Sequence, residues 1–252
     1  MATLNFDGPW LKVERAEQHI NELKAMLAGL VADNIERFSI DNQKRALKEG
    51  RPVTSAPIPK HLPTVLGDAL HNLRASLDHA YCILIEANGH TPTEFSRFPF
   101  TKDWQSQKGS IEGHVKTGNG PSAKVIDFIG DEIQPFPGGK HRLFDLHRLD
   151  IADKHQCILP TSTDYFTNST IIVDENGRVI VTLQGVRAGG NKGGDIAIGG
   201  GIAIAKNDLQ SATQVTFGPE QPLEFEPMLD TIFALRESVK TSLHGLEKFI
   251  QT

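Results

Sequence analysis

The run Gly67-Asp68-Ala69-Leu70-His71-Asn72-Leu73-Arg74-Ala75-Ser76-Leu77-Asp78-His79 constrains this chain more than any other stretch. Leu66, Leu70, Leu73, Leu77, Ala80 and Leu84 recur at three- and four-residue spacing, the signature of a helix that buries one side. Two histidines, two aspartates, an arginine and an asparagine crowd the other side. A second run, His147-Arg148-Leu149-Asp150-Ile151-Ala152-Asp153-Lys154-His155, repeats this vocabulary. There His147, Asp150 and Lys154 share one helical face, flanked by Leu143 and Ile151. Polar groups inside an apolar stripe are costly unless they are satisfied. Their natural partners are Arg74, Asp78 and His71, of which Arg74 and Asp78, four apart on one helix, can also pair directly with each other. The two helices are therefore expected to meet in a polar cluster of Asp68, His71, Asn72, Asp78, His147, Asp150, Lys154 and His155. Asp with Arg and Asp with Lys would neutralise each other and fix the helix register.

The rest of the chain supplies partners for these helices. Residues 9 to about 38 predict a long helix, capped by Gly8 or Asp7 with Pro9 in its first turn. Its stripe is Val13, Ala16, Ile20, Leu23, Leu27, Leu30 and Val31. Prolines at 52, 57, 59 and 63 make residues 50–63 an extended connector. The central helix then runs from about Pro63 to Ala87, where Asn88-Gly89 stops it. Residues 89–121 are rich in Gly, Pro, Thr and Ser, with Phe95, Phe98, Phe100 and Trp104 as anchors of this loop to the core. A short helix is expected near 122–131, another from about His141 to Gln156, and a last one from about Pro227 to Gln251 with Leu229, Ile232, Leu235, Val239, Leu243, Leu246 and Ile250 as its stripe.

Between the last two the pattern changes. Ile171–Val173, Val179–Leu183, Ile196–Ile198, Ile202–Ile204 and Val215–Phe217 are β-like, and Asn176-Gly177 suits a hairpin turn. The expected class is α+β, with three regions. Residues 1–156 form a helical bundle with a Pro-rich connector and a long loop. Residues 157–222 form a small antiparallel β insert carrying no catalytic group. Residues 223–252 form a C-terminal helix that rejoins the bundle.

Composition narrows the function classes. The net charge of -5 argues against a broad electrostatic grip on nucleic acid, which rests on excess Lys and Arg. Two cysteines, 82 and 157, form no Cys-x-x-Cys pair, so no zinc ribbon or redox motif is present. The N-terminus lacks the basic and apolar regions of a signal peptide, and no apolar run reaches the ~20 residues of a membrane span. These features point to a bacterial-type cytoplasm. Gly189–Gly194 and Gly199–Gly201 lack the Gly-Lys-Ser/Thr ending of a phosphate loop and read as turns. Cys82 reads as a small buried residue, and Asp127, Asp131 and Glu132 as a solvated helix end. A metal site of His71, Asp78, His147 and Asp150 would set a cation beside Arg74 and Lys154. No metal or cofactor is expected, and a small-molecule ligand is not identified.

The stretch from Ile58-Pro59 through Gly67-Asp68-x-x-His71-Asn72-Leu73-Arg74-x-x-Leu77-Asp78-His79 to Asp153-Lys154-His155 is similar to a widespread family of uncharacterised bacterial proteins. Arg74-x-x-x-x-His79 also resembles the Arg-x(4–6)-His signature of the HEPN superfamily. That second resemblance implies a HEPN-like helical bundle and a metal-independent endoribonuclease or RNA-binding protein, working as a homodimer. Arg74 would bind the scissile phosphate and His79 would move a proton, a role suited to imidazole. Five residues apart, the two diverge by about 140° on a straight helix, so a bend or a second subunit is needed to join them. The alternative is a non-catalytic binding or structural protein whose charged cluster is an internal clasp. Burial discriminates the two: Arg74 and His79 open to a cleft favour the enzyme, and buried, mutually bonded groups favour the clasp.

Overall fold

The computed structural model describes residues 5–37, 39–51, 56–105, 108–109, 111–112, 120–156, 161–173, 178–189, 204–207, 213–218 and 220–251. Helices predominate. They are α1 (Asp7–Arg37), α2 (Ile40–Lys48), α3 (Leu62–Ala87), α4 (Ala123–Phe128), α5 (Leu143–Gln156) and α6 (Met228–Gln251). Helix α1 starts at Asp7, whose N–H donates to the Asn5 carboxamide at 2.6 Å, so Asn5 rather than Gly8 or Asp7 serves its first turn. Gly89, with φ of 78°, terminates α3, and the Asn88 and His90 N–H groups return to the Ile85 carbonyl. Ser122 caps α4, which continues as a π turn over Ile129–Ile133. Gln134, at φ 56°, and Pro135 end it, two residues beyond the limit the sequence suggests.

The chain divides into two compact units. The first comprises residues 1–21, 64–159 and 230–252 and is a helical bundle. Its core is the set of stripes read from the sequence: Val13, Ala16 and Ile20 of α1, Leu66 through Leu84 of α3, and Ile232, Leu235, Val239, Leu243 and Leu246 of α6 are all buried. Helix α5 adds Leu143, Leu146 and Leu149. Ile151 corrects the expected α5 face, since it points outward at 41% exposure. Phe95, expected to be an anchor, is 75% exposed, whereas Phe98 is fully enclosed. Trp104 lies on Gly130, where an added Cβ would collide with the indole ring.

The second unit comprises residues 22–63 and 160–229. It holds the rest of α1, helix α2, and strands β1 (Thr161–Val173), β2 (Val179–Gly189), β3 (Ile204–Asn207) and β4 (Thr213–Phe217). β1 is central and every pairing is antiparallel. Asp164 stands opposite Gly189 and Thr170 opposite Leu183 on one edge. On the other edge Thr170 meets Asn207 and Thr161 meets Phe217. Helix α2, which the sequence reading leaves unassigned, lies against β3. The units thus cut the chain differently from boundaries at 157 and 222, because residues 22–63 associate with the strands. Asn34 is buried and its side-chain oxygen accepts the Ala56 N–H at 2.7 Å, tying the Pro-rich connector to α1. The β-like Ile196–Ile198, the Asn176-Gly177 turn and the glycines of 190–201 lie outside the described residues. Among the described residues no helix is long and apolar enough to cross a membrane.

Candidate functional site

Helices α3 and α5 run antiparallel, because their contacts match in reverse order. Gly67 faces Asp153, His71 faces Asp150, and Arg74 and His147 meet on the ring of Phe100. Glycine at 67 has a physical reason. A Cβ there would sit 2.5 Å from the Asp153 carboxylate, so its absence lets α5 approach.

The Gly67 end is half open to water. His71 Nδ1 lies 3.3 Å from Asp150 Oδ1, and Lys154 Nζ donates to Asp150 Oδ2 at 2.6 Å. Asp150 is buried while its two partners keep about half their surface. Burial, with help from the neighbouring Asp150 and Asp68 charges, raises the Asp153 pKa above the usual carboxylate value. Asp68 and His155 are exposed, and Asn72 donates to the Asp68 carbonyl at 2.8 Å.

The Arg74 end is closed. Arg74 is only 6% exposed and pairs with Asp78 one turn along α3. Its guanidinium lies 4.2 Å from the centre of the Phe100 ring. His147 stacks on the same ring, 4.8 Å away and within 6° of parallel. Asp78 also accepts the Phe98 N–H at 2.8 Å, so one carboxylate holds both the cation and the loop backbone. Burial, and then the Arg74 charge, push the His147 pKa down to about 4, leaving a neutral imidazole near neutral pH. Among the described residues, Arg74 Nε and His147 Nδ1 have no hydrogen-bond partner, and Arg74 Nη1 meets Asp78 as an ion pair without hydrogen-bond geometry.

Arg74 pairs with Asp78, as their four-residue spacing allows, whereas Asp150 pairs with Lys154 of its own helix rather than with a charge of α3. What crosses from α3 to α5 is the His71–Asp150 contact, the Gly67–Asp153 approach and the shared Phe100 ring. Asp153 and the two phenylalanines were not among the predicted site residues. A loop side chain has no periodicity that would reveal it, but a glycine inside a helical pattern is a usable signal for a close neighbour.

The geometry limits the chemistry. Arg74 points inward, whereas His79 is exposed and lies near the start of α1, 3.8 Å from where a Gly8 Cβ would be. Burial, aided by Asp78 and Glu86, raises the Cys82 pKa and disfavours its thiolate; the thiol donates weakly to the Ser96 carbonyl. Among the described residues no three His, Cys, Asp or Glu groups are placed to hold one metal ion. Comparison with protein-family models, with curated proteins and with solved structures gives no match.

Proposed function

We propose that the Arg/Asp/His/Lys cluster is an internal polar clasp, and that the chain is a non-catalytic binding or structural protein. Its architecture would be a HEPN-like bundle with an antiparallel sheet inserted before the C-terminal helix. The observation that carries this reading is the burial of Arg74 beneath Phe100 with its charge engaged by Asp78. A guanidinium that binds a phosphate must present its donor fork to the ligand. Here the fork faces a carboxylate of its own helix and an aromatic ring.

The second reading is a metal-independent ribonuclease acting as a homodimer on RNA, with Arg74 and His79 in the roles the resemblance implies. The exposure of His79 favours it. One experiment separates the two. Purified protein is incubated with single-stranded and hairpin RNA in excess EDTA, alongside His79→Ala. The clasp reading expects no cleavage by either protein. Cleavage that leaves cyclic phosphate ends and disappears in a folded His79→Ala variant would replace it with the nuclease.

A further inference from the structure

We propose that Phe98–Thr101 is an acid-released strap over helices α3 and α5, with His147 as the group that senses acid. The proposal rests on the clasp reading and adds to it a moving part. The strap's Phe100 N–H and Thr101 hydroxyl bond within the loop, to the Phe98 and Asp103 carbonyls, and among the described residues its backbone N–H groups reach the rest of the bundle at two points. The Phe98 N–H donates to Asp78 at 2.8 Å, Pro99 has no N–H to donate, and the Thr101 N–H reaches the Pro135 carbonyl at a long 3.3 Å. Side-chain contacts supply the rest. Phe98 is buried against Tyr81, with ring centres 6.3 Å apart, and Phe100 lies on both Arg74 and His147.

Phe100 already carries one cation on its ring. A second positive charge on His147 would share that ring with Arg74, and the imidazolium, which carries a proton on both nitrogens, would have no acceptor for its Nδ1–H among the described residues. The charged groups acting on His147 are Arg74 and Asp78 from α3, and Asp150 and Lys154 from α5. Burial and Arg74 outweigh the two aspartates, so the closed strap favours the neutral ring and its pKa falls to about 4 from an ordinary 6.5. Lifting the strap wets the ring and restores the ordinary value. The open state therefore binds the proton more tightly, and acid favours it across the window from pH 6.5 to 4. One proton changes the closed-to-open ratio by up to about tenfold per pH unit in that window.

The test is NMR-detected amide exchange on the whole chain between pH 7 and 4.5, with rates divided by their intrinsic values. The reporters are the Phe98 and Thr101 amides, with the Leu70–Leu84 amides of α3 as the internal control. Expected is a fall in strap protection of several-fold per pH unit below 6.5, while α3 stays protected. In His147→Phe, which keeps the stacked ring without a titrating nitrogen, strap protection should be flat with pH. His147→Gln serves the same purpose if the phenylalanine variant does not fold. Strap protection independent of pH, loss of strap and α3 protection together, or an unchanged slope in the variants would each overturn the proposal. RNA cleavage would instead remove the clasp reading, so the two failures are distinguishable.

Discussion

The two ends of the α3–α5 contact use one vocabulary in different solvents. At the Gly67 end, Asp150 is shared by His71 and Lys154, both about half exposed. At the Arg74 end, cation, ring and imidazole are stacked under a loop. Charges at a wet end are screened, and their pairs contribute little. At the closed end Arg74 has been stripped of water, so removing its half-buried partner Asp78 leaves that cation uncompensated. Similar residues thus fix register at one end and carry most of the energetic consequence at the other.

The largest expected effect follows from that asymmetry. Asp78→Ala should destabilise the fold by about 3–5 kcal/mol, because it leaves Arg74 buried without its counter-charge and frees the Phe98 N–H. His79→Ala, one residue on but on the exposed side, should stay within about 0.5 kcal/mol. Urea denaturation of the two variants decides it, and equal midpoints would erase the distinction between the two sides of α3.

At the wet end, Asp150→Ala should cost about 1.5–3 kcal/mol, since it removes a buried acceptor of two hydrogen bonds from ionisable partners. Lys154→Ala should cost less than Asp78→Ala, about 1–2 kcal/mol, because His71 stays beside the buried Asp150 carboxylate and continues to compensate it. If Lys154→Ala proved as damaging as Asp78→Ala, the wet end would be as dry energetically as the other.

How far the sequence reaches follows the same division. The stripes of α1, α3 and α6 were legible because periodic burial writes itself into spacing, and leucines 66, 70, 73, 77 and 84 are all buried. The meeting of α3 and α5 could be argued from complementary charges. The Arg74–Asp78 pair followed from four-residue spacing, but the partner of Asp150 did not: Lys154, four residues on, competes with charges across the gap, and the local pair occurs. Phe100 was invisible as a site residue because a loop places its side chains by tertiary contact. Ile151 misled because a β-branched apolar residue beside polar ones reads as core, yet it faces solvent.

Gly67 gives a smaller effect with a sign that can be reversed. Gly67→Ala alone gains helix propensity but forces the Asp153 carboxylate aside, so little net change is expected. Combined with Asp153→Ala, which removes the clash, the same alanine should stabilise by about 1 kcal/mol. A double variant no more stable than Asp153→Ala would show that something other than this carboxylate limits the approach.

The two ends should also answer acid in opposite directions. The His147 pKa is lowered to about 4 in the fold, so the unfolded chain binds its proton more tightly, and this end loses stability as pH falls from 6.5 towards 4. Asp153 is the reverse. Its pKa is raised above the usual 3.8, so the folded chain binds that proton more tightly. Its unfavourable contribution is therefore complete at neutral pH and is relieved as pH falls through the raised value. Neutralising Asp153 by Asp153→Asn should raise the melting temperature slightly at pH 7, with the gain fading towards pH 4. His147→Phe should instead show its advantage over the natural chain growing as pH falls below 6.5, by no more than about 1 kcal/mol per pH unit once solvent screening is allowed for. Thermal melts of the three proteins from pH 7 to 4.5 test both slopes. Variants that diverge from the natural chain in the same direction would mean that one electrostatic environment, not two, spans the α3–α5 contact.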